Sequence, residues 1–172
     1  VVVPLGIPLQ PYESSAQGEE AARRLRERYG ASPAAPLLLF AGQFREYKGL
    51  TFLIEALARL SAAGARLRAA LAGDGPMRPA IESQARAAGL ADRVFFPGRV
   101  DDAALIAHYR ACDVFVLPSH RRSEAFGLVQ VEAMACGKPV ISCALDTGVP
   151  FVNRDGETGL IVPPADASAL AE

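Results

Sequence analysis

The sequence predicts a single α/β domain built on a doubly wound parallel sheet of the Rossmann-like kind. Short, wholly apolar runs alternate with longer stretches whose apolar residues recur at three and four positions. The first pattern marks strands buried on both faces, the second amphipathic helices. Glycine follows three of the five main strand-like runs within two residues, where ligands of such folds bind outside the carboxyl ends of the strands.

A charged helix from Glu19 to Tyr29 precedes the alternation and is expected on the outside. Leu37-Leu38-Leu39-Phe40-Ala41-Gly42 reads as the first buried strand. A helix from about Gly49 to Ala63 follows, with Leu50, Leu53, Ile54, Leu57 and Leu60 on one face. Ala65 to Ala72 is the next strand and ends in Gly73-Asp74-Gly75-Pro76; the helix from about Met77 to Ala88 has Gly89 as its stop. Val94-Phe95-Phe96 is a short strand, and Asp101 or Asp102 caps a helix through about Ala111. Val114 to Leu117 is a strand stopped by Pro118, and a helix from about Phe126 to Ala135 is stopped by Gly137. Pro139 to Cys143 and Gly159 to Val162 are the remaining strands. Val1-Val2-Val3-Pro4 is strand-like, and Ala165 to Glu172 looks like a helix barely begun. With neither an initiator Met nor a signal peptide, a domain (residues 1–172) of a longer protein is expected.

Composition narrows the function classes. Eighteen basic residues against nineteen acidic ones give no basic excess to support nucleic-acid binding. No apolar run approaches the roughly 20 residues of a membrane span. Cys112, Cys136 and Cys143 form no C-x-x-C pair, and His108 and His120 stand at no ligand spacing to them, so neither a disulfide framework nor a metal site is expected and a reducing cytoplasm fits. Sixteen of the cations are Arg, which singles out Lys48 and Lys138.

Three constellations could carry chemistry. After the Val114–Leu117 strand, the loop holding Glu124 runs into a helix whose free N–H groups and dipole suit a phosphate, with Gly127 allowing close approach. Glu132 lies eight residues on, roughly 12 Å along a helix axis. That is wider than the roughly 5 to 9.5 Å of paired glycosidase carboxylates and suits two ends of one long ligand. The alternative is a solvated Glu124 and a structurally partnered Glu132. At Gly42-Gln43-Phe44-Arg45-Glu46-Tyr47-Lys48-Gly49, two cations flank a helix start, an odd placement unless they share an anion; two solvated side chains are the alternative. Gly73-Asp74-Gly75-Pro76-Met77-Arg78 lacks the third glycine of a dinucleotide fingerprint. His120, a loop residue beside two Arg, reads as surface, and His108 as structural.

Together these segments resemble the C-terminal domain of glycosyltransferase family 4, of the GT-B fold. The strongest match is Ser123-Glu124-Ala125-Phe126-Gly127-Leu128 through Glu132-Ala133-Met134-Ala135-Cys136-Gly137-Lys138-Pro139-Val140, with its glutamates separated by seven residues. Pro4 to Ile7, Lys48-Gly49, Gly73 to Pro76, Phe96 to Gly98, Asp113 to Ser119 and Gly156 to Pro163 extend it along nearly the whole chain.

The resemblance implies a nucleotide-sugar-binding half of a retaining glycosyltransferase, inactive alone, using no cofactor or metal. Glu124 would contact donor-sugar hydroxyls and act in catalysis. Lys48 and the amides of Phe126, Gly127 and Leu128 would hold the diphosphate, and Glu132 the ribose. The loop of Gly98, Arg99 and Val100 would line the base pocket, whether the donor carries UDP, GDP or ADP. An N-terminal domain would bring the acceptor and any contact with the inner face of the membrane. The family has Arg where Gln43 stands, a charge that Arg45 is expected to supply, and Glu where Phe151 stands. Similar wording occurs in enzymes that build bacterial surface polysaccharide. Two other readings are a nucleotide-sugar 2-epimerase, against which the Gly127-to-Gly137 segment weighs, and a non-catalytic nucleotide-sugar-binding module, against which Lys48, Glu124 and Glu132 weigh.

Overall fold

Strands apolar on both faces must lie between two layers of helices, and the computed structural model, which describes residues 6–172, has that arrangement. In chain order the elements are α1 (Ala16–Tyr29), β1 (Leu37–Ala41), α2 (Leu50–Ala62), β2 (Arg68–Ala72), α3 (Arg78–Ala87), β3 (Val94–Gly98), α4 (Asp102–Ala111), β4 (Val114–Leu117), α5 (Leu128–Ala135), β5 (Val140–Cys143), α6 (Val149–Val152) and β6 (Gly159–Val162). The strand-like reading of Val1 to Pro4 lies outside the described residues.

The six strands form one parallel sheet in the order β3-β2-β1-β4-β5-β6. Side chains alternate between its faces. Leu37, Leu39, Phe115 and Leu117 enter a core with Tyr29, Tyr109 and Ala133, while Phe40 and Val116 enter the opposite core with Leu53, Ile54, Leu57 and Ile81. The chain winds outward from β1 in one direction, then returns to begin again at β4. The two halves are joined at one seam, where Leu38 faces Val114 and Leu39 faces Phe115. Asp113, just before β4, reinforces it: the carboxylate accepts from Leu37 N at 2.7 Å and from Arg26 at 2.9 Å.

Several boundaries differ from expectation, each for a local reason. The second strand begins at Arg68 rather than Ala65, because Ala65 N donates back to Leu60 O at the end of α2. Asp101, not Asp102, caps α4, its carboxylate accepting from Ala104 N at 2.8 Å. α1 starts at Ala16, capped by Ser15. α5 starts at Leu128 rather than Phe126, because Gly127 adopts φ 70° and cannot continue a helix backwards. Residues 165–171 form turns rather than a helix. α6 is an element that the sequence pattern does not announce. Among the described residues no helix is long and apolar enough to cross a membrane.

His108 is structural, as expected. Its Nδ1–H donates to Ala104 O at 2.7 Å, so Nε2 accepts from Tyr29 OH at 2.9 Å and ties α4 to α1. Burial holds the imidazole below its ordinary pKa, outweighing the opposing Ala104 bond. The unfolded chain therefore binds the proton at a higher pH than the folded one. Stability from the neutral ring is complete above about pH 6.5 and falls as the pH drops toward the folded pKa. Urea midpoints between about pH 5 and 7 should slope upward, and His108→Gln should flatten that part of the slope. An unchanged slope would remove His108 as its cause.

Candidate functional site

Open α/β sheets bind ligands where the strand order reverses, here between the carboxyl ends of β1 and β4. The loop leaving β1 is pinned by Phe44, fully buried edge-on against Phe40 and Phe96. Phe44 N donates to Asp74 O, and its own carbonyl accepts from Met77 N, so this loop is tied to the loop after β2. A single 3-10 turn, Glu46–Lys48, then ends at Gly49, whose left-handed backbone (φ 70°) opens α2. Gly49 lies so close to the β4 loop that a Cβ there would stand 2.0 Å from Pro118 O.

That close approach brings Lys48 to Glu124, residues 76 positions apart. Lys48 Nζ lies 2.6 Å from Glu124 Oε2, and their side chains are only 11% and 10% exposed. Ser119 Oγ donates to the same carboxylate oxygen at 2.8 Å. Two charges withdrawn from water need each other. The ammonium also lies beside Gly42, which lines a cleft of about 350 Å³ with Gln43, Gly73, Asp74, Arg99 and Val100. The cleft opens at the carboxyl ends of β1, β2 and β3. Gly98 turns the chain toward it with φ 80° but does not line it.

Beyond Glu124 the chain is not helical until Leu128, so the axial spacing of roughly 12 Å expected between the two glutamates does not apply. Glu124 sits in the loop and Glu132 on α5. Among the described residues nothing accepts from the backbone N–H groups of Phe126, Gly127 and Leu128, which stand at the positive end of α5. The loop is buttressed by Gly148 N, which donates to Ala125 O at 2.8 Å. Glu132 is half-buried and accepts from Tyr109 OH at 2.7 Å. Burial and then the Glu132 charge push the Tyr109 phenol far upward, so it remains a donor.

The structure thus joins Lys48 to Glu124, and Arg99 to Val100 around the cleft, and gives Glu132 a fixed partner. Arg45 stands apart: it is exposed, and its Nε donates to Gln43 Oε1 at 3.3 Å. Phe151 lies on α6, 59% exposed. His120, which reads as a surface residue in the sequence, is not one. Its side chain is 12% exposed, packs edge-on against Phe52 and reaches Glu46 Oε1 at 3.2 Å. The signal for it in the sequence is its place directly after Ser119 at the end of β4. Tyr109 gives no such signal, since its partner lies across the α4–α5 packing. Among the described residues no cluster of three His, Cys, Asp or Glu side chains is arranged to hold a metal.

A family model described as glycosyl transferases group 1 matches residues 22–172. The chain is 35% identical over 172 residues to the O-antigen chain mannosyltransferase C of Escherichia coli, a match covering 100% of this chain and 43% of that protein. It is similar in structure to HepE of Anabaena in complex with UDP-glucose, with TM-score 0.84 and 28% identity across 96% of this chain and 44% of that one. The C-terminal domain of a glycosyl transferase group 1 family protein, LpcC, from Francisella tularensis is similar with TM-score 0.79 and 25% identity, across 96% of this chain and 84% of that one. The chain spans less than half the length of the curated relatives it matches.

Proposed function

The chain belongs to the glycosyl transferases group 1 family, and from that premise we propose that it is the nucleotide-sugar-binding half of a retaining glycosyltransferase. The observation that carries the reading is the Lys48–Glu124 pair, buried at the strand-order switch beside the unpaired amides of Phe126, Gly127 and Leu128. A cation, a carboxylate and a helix N-terminus at one point suit a sugar diphosphate, which needs neutralisation at its phosphates and acceptors for its hydroxyls. HepE, crystallised with UDP-glucose, supports a nucleotide-sugar as the ligand class.

In this reading each charge is the other's partner until the donor arrives. The diphosphate then takes Lys48 and the α5 amides, and the sugar hydroxyls take Glu124. Glu132, oriented by Tyr109, accepts from the ribose, and the cleft beside Arg99 and Val100 receives the base. When the bond to the sugar breaks, charge develops on the leaving diphosphate. Lys48 and the amides already face it, so the site is preorganised for that charge without a metal. The acceptor enters from a preceding domain. The E. coli O-antigen relative supports a role in surface polysaccharide synthesis.

The test is calorimetric titration of the chain with UDP, GDP and ADP, each in the presence of EDTA. Saturable binding of one nucleotide, lost in Glu132→Ala, is the expected outcome and names the base. Binding that appears only when a divalent metal is restored would overturn the metal-free reading, and no binding of any nucleotide would overturn the donor site.

A further inference from the structure

Lys48 ends a turn of only three residues, too short to hold a buried ammonium in place by its own hydrogen bonds. Its position is imposed from the opposite loop. His120 N donates to Tyr47 O at 2.9 Å, Gly49 rests on Pro118 O, and Glu46 Oε1 receives both His120 Nε2 at 3.2 Å and Arg121 Nη2 at 2.9 Å. These contacts surround Lys48 in sequence on both sides. Ser119, the residue before His120, meanwhile holds Glu124. One strip of four residues, Pro118 to Arg121, therefore sets both members of the ion pair.

His120 is the member of that strip with the least ordinary environment. Its ring is wedged between Phe52, at 5.2 Å between centroids, and the backbone of Gly49. Nε2–H donates to Glu46, while Nδ1 is buried and, among the described residues, has no partner. A buried nitrogen without a partner is costly, so what the imidazole contributes comes from its ring and its Nε2. Resting on the reading of Lys48 as the diphosphate ligand, we propose that His120 is a positioning residue: it latches the Glu46–Lys48 turn to the β4 loop and so sets the Lys48 ammonium for the phosphates.

The latch acts on phosphate rather than on the nucleoside: the cleft takes only Gly42 and Gln43 from the β1 loop, a stretch held by the Phe44 ties to the β2 loop, and none of the latched Glu46–Lys48 turn lines it. UDP, GDP and ADP are therefore titrated against uridine, guanosine and adenosine in wild type and variants, with urea unfolding alongside. For the nucleotide that binds, His120→Ala should weaken the diphosphate about tenfold, since misplacing a binding group by a fraction of an ångström has effects of this size. The matching nucleoside should bind within about twofold of wild type. His120→Gln, whose amide N–H₂ can replace Nε2–H on Glu46, should recover most of the loss. Glu46→Ala, an exposed change that leaves the His120 ring in place, should reproduce the phosphate-selective loss and serves where His120→Ala does not fold. Equal weakening of nucleoside and diphosphate, or full diphosphate affinity in both variants, would overturn the latch alone. A wild type that binds none of the six would overturn the donor site and the latch with it.

Discussion

Replacing Lys48 with alanine is expected to destabilise the chain by about 3–5 kcal/mol and to abolish binding of a nucleoside diphosphate, two effects with one cause. The Glu124 side chain, 10% exposed, would keep Ser119 but lose the only cation bonded to it among the described residues. A buried charge stripped of its partner is far more harmful than a pair removed together, because the desolvation cost stays while the Coulomb term goes. The variant Lys48→Met with Glu124→Leu should therefore unfold within about 1 kcal/mol of wild type or above it, and yet bind no diphosphate. Urea midpoints and calorimetry on the two variants separate stability from recognition. A Lys48→Ala chain as stable as wild type would mean that water reaches Glu124 freely. A double variant that still bound the diphosphate would remove the pair from the site.

Gly49→Ala should be nearly as damaging, although it adds one methyl group. The left-handed backbone there, φ 70°, costs a residue with a Cβ about 1–2 kcal/mol. The new Cβ would also stand 2.0 Å from Pro118 O and 2.9 Å from Pro118 C, backbone atoms that cannot turn aside as a side chain would. Relief requires the β1 and β4 loops to separate, which adds about 1–3 kcal/mol of overpacking and draws Lys48 away from Glu124. Gly89→Ala is the matched control: φ is 71°, and nothing lies within 4 Å of the added Cβ. Its cost should be the backbone share alone. If the two substitutions unfold at the same urea concentration, the close approach of the loops contributes nothing to stability.

How far the sequence foretells this structure depends on the range of the forces involved. β1 and β4 are legible because five or four consecutive apolar residues suit only a strand covered on both sides. The extra length expected of the second strand comes from the same rule, since Ala65 and Leu67 are as apolar as Ala69 and Leu71. The start of α5 differs by two residues because a glycine at positive φ looks, in sequence, like any glycine near a helix. α6 is a four-residue turn after Gly148, below what periodicity can register. In the site, Lys48, Glu124 and Glu132 stand out by type and position, but their contacts do not. The Lys48–Glu124 pair spans two loops on different halves of the sheet, and Tyr109 meets Glu132 between two helices. His120 escapes notice because two neighbouring Arg suggest solvent, whereas the turn of the chain after β4 points its ring inward.

The seam between β1 and β4 has a kinetic consequence. Each half of the sheet pairs strands that are near neighbours in the chain, while the seam closes a loop of about 75 residues and carries the largest entropic cost of closure. The halves are thus expected to form first and to dock last. Lys48 belongs to one half and Glu124 to the other, so the ligand site does not exist until that docking is complete. A ligand that grips both loops acts on a contact absent from the folding barrier. It should leave the refolding rate unchanged and slow unfolding, extending the lifetime of the folded chain while it is occupied.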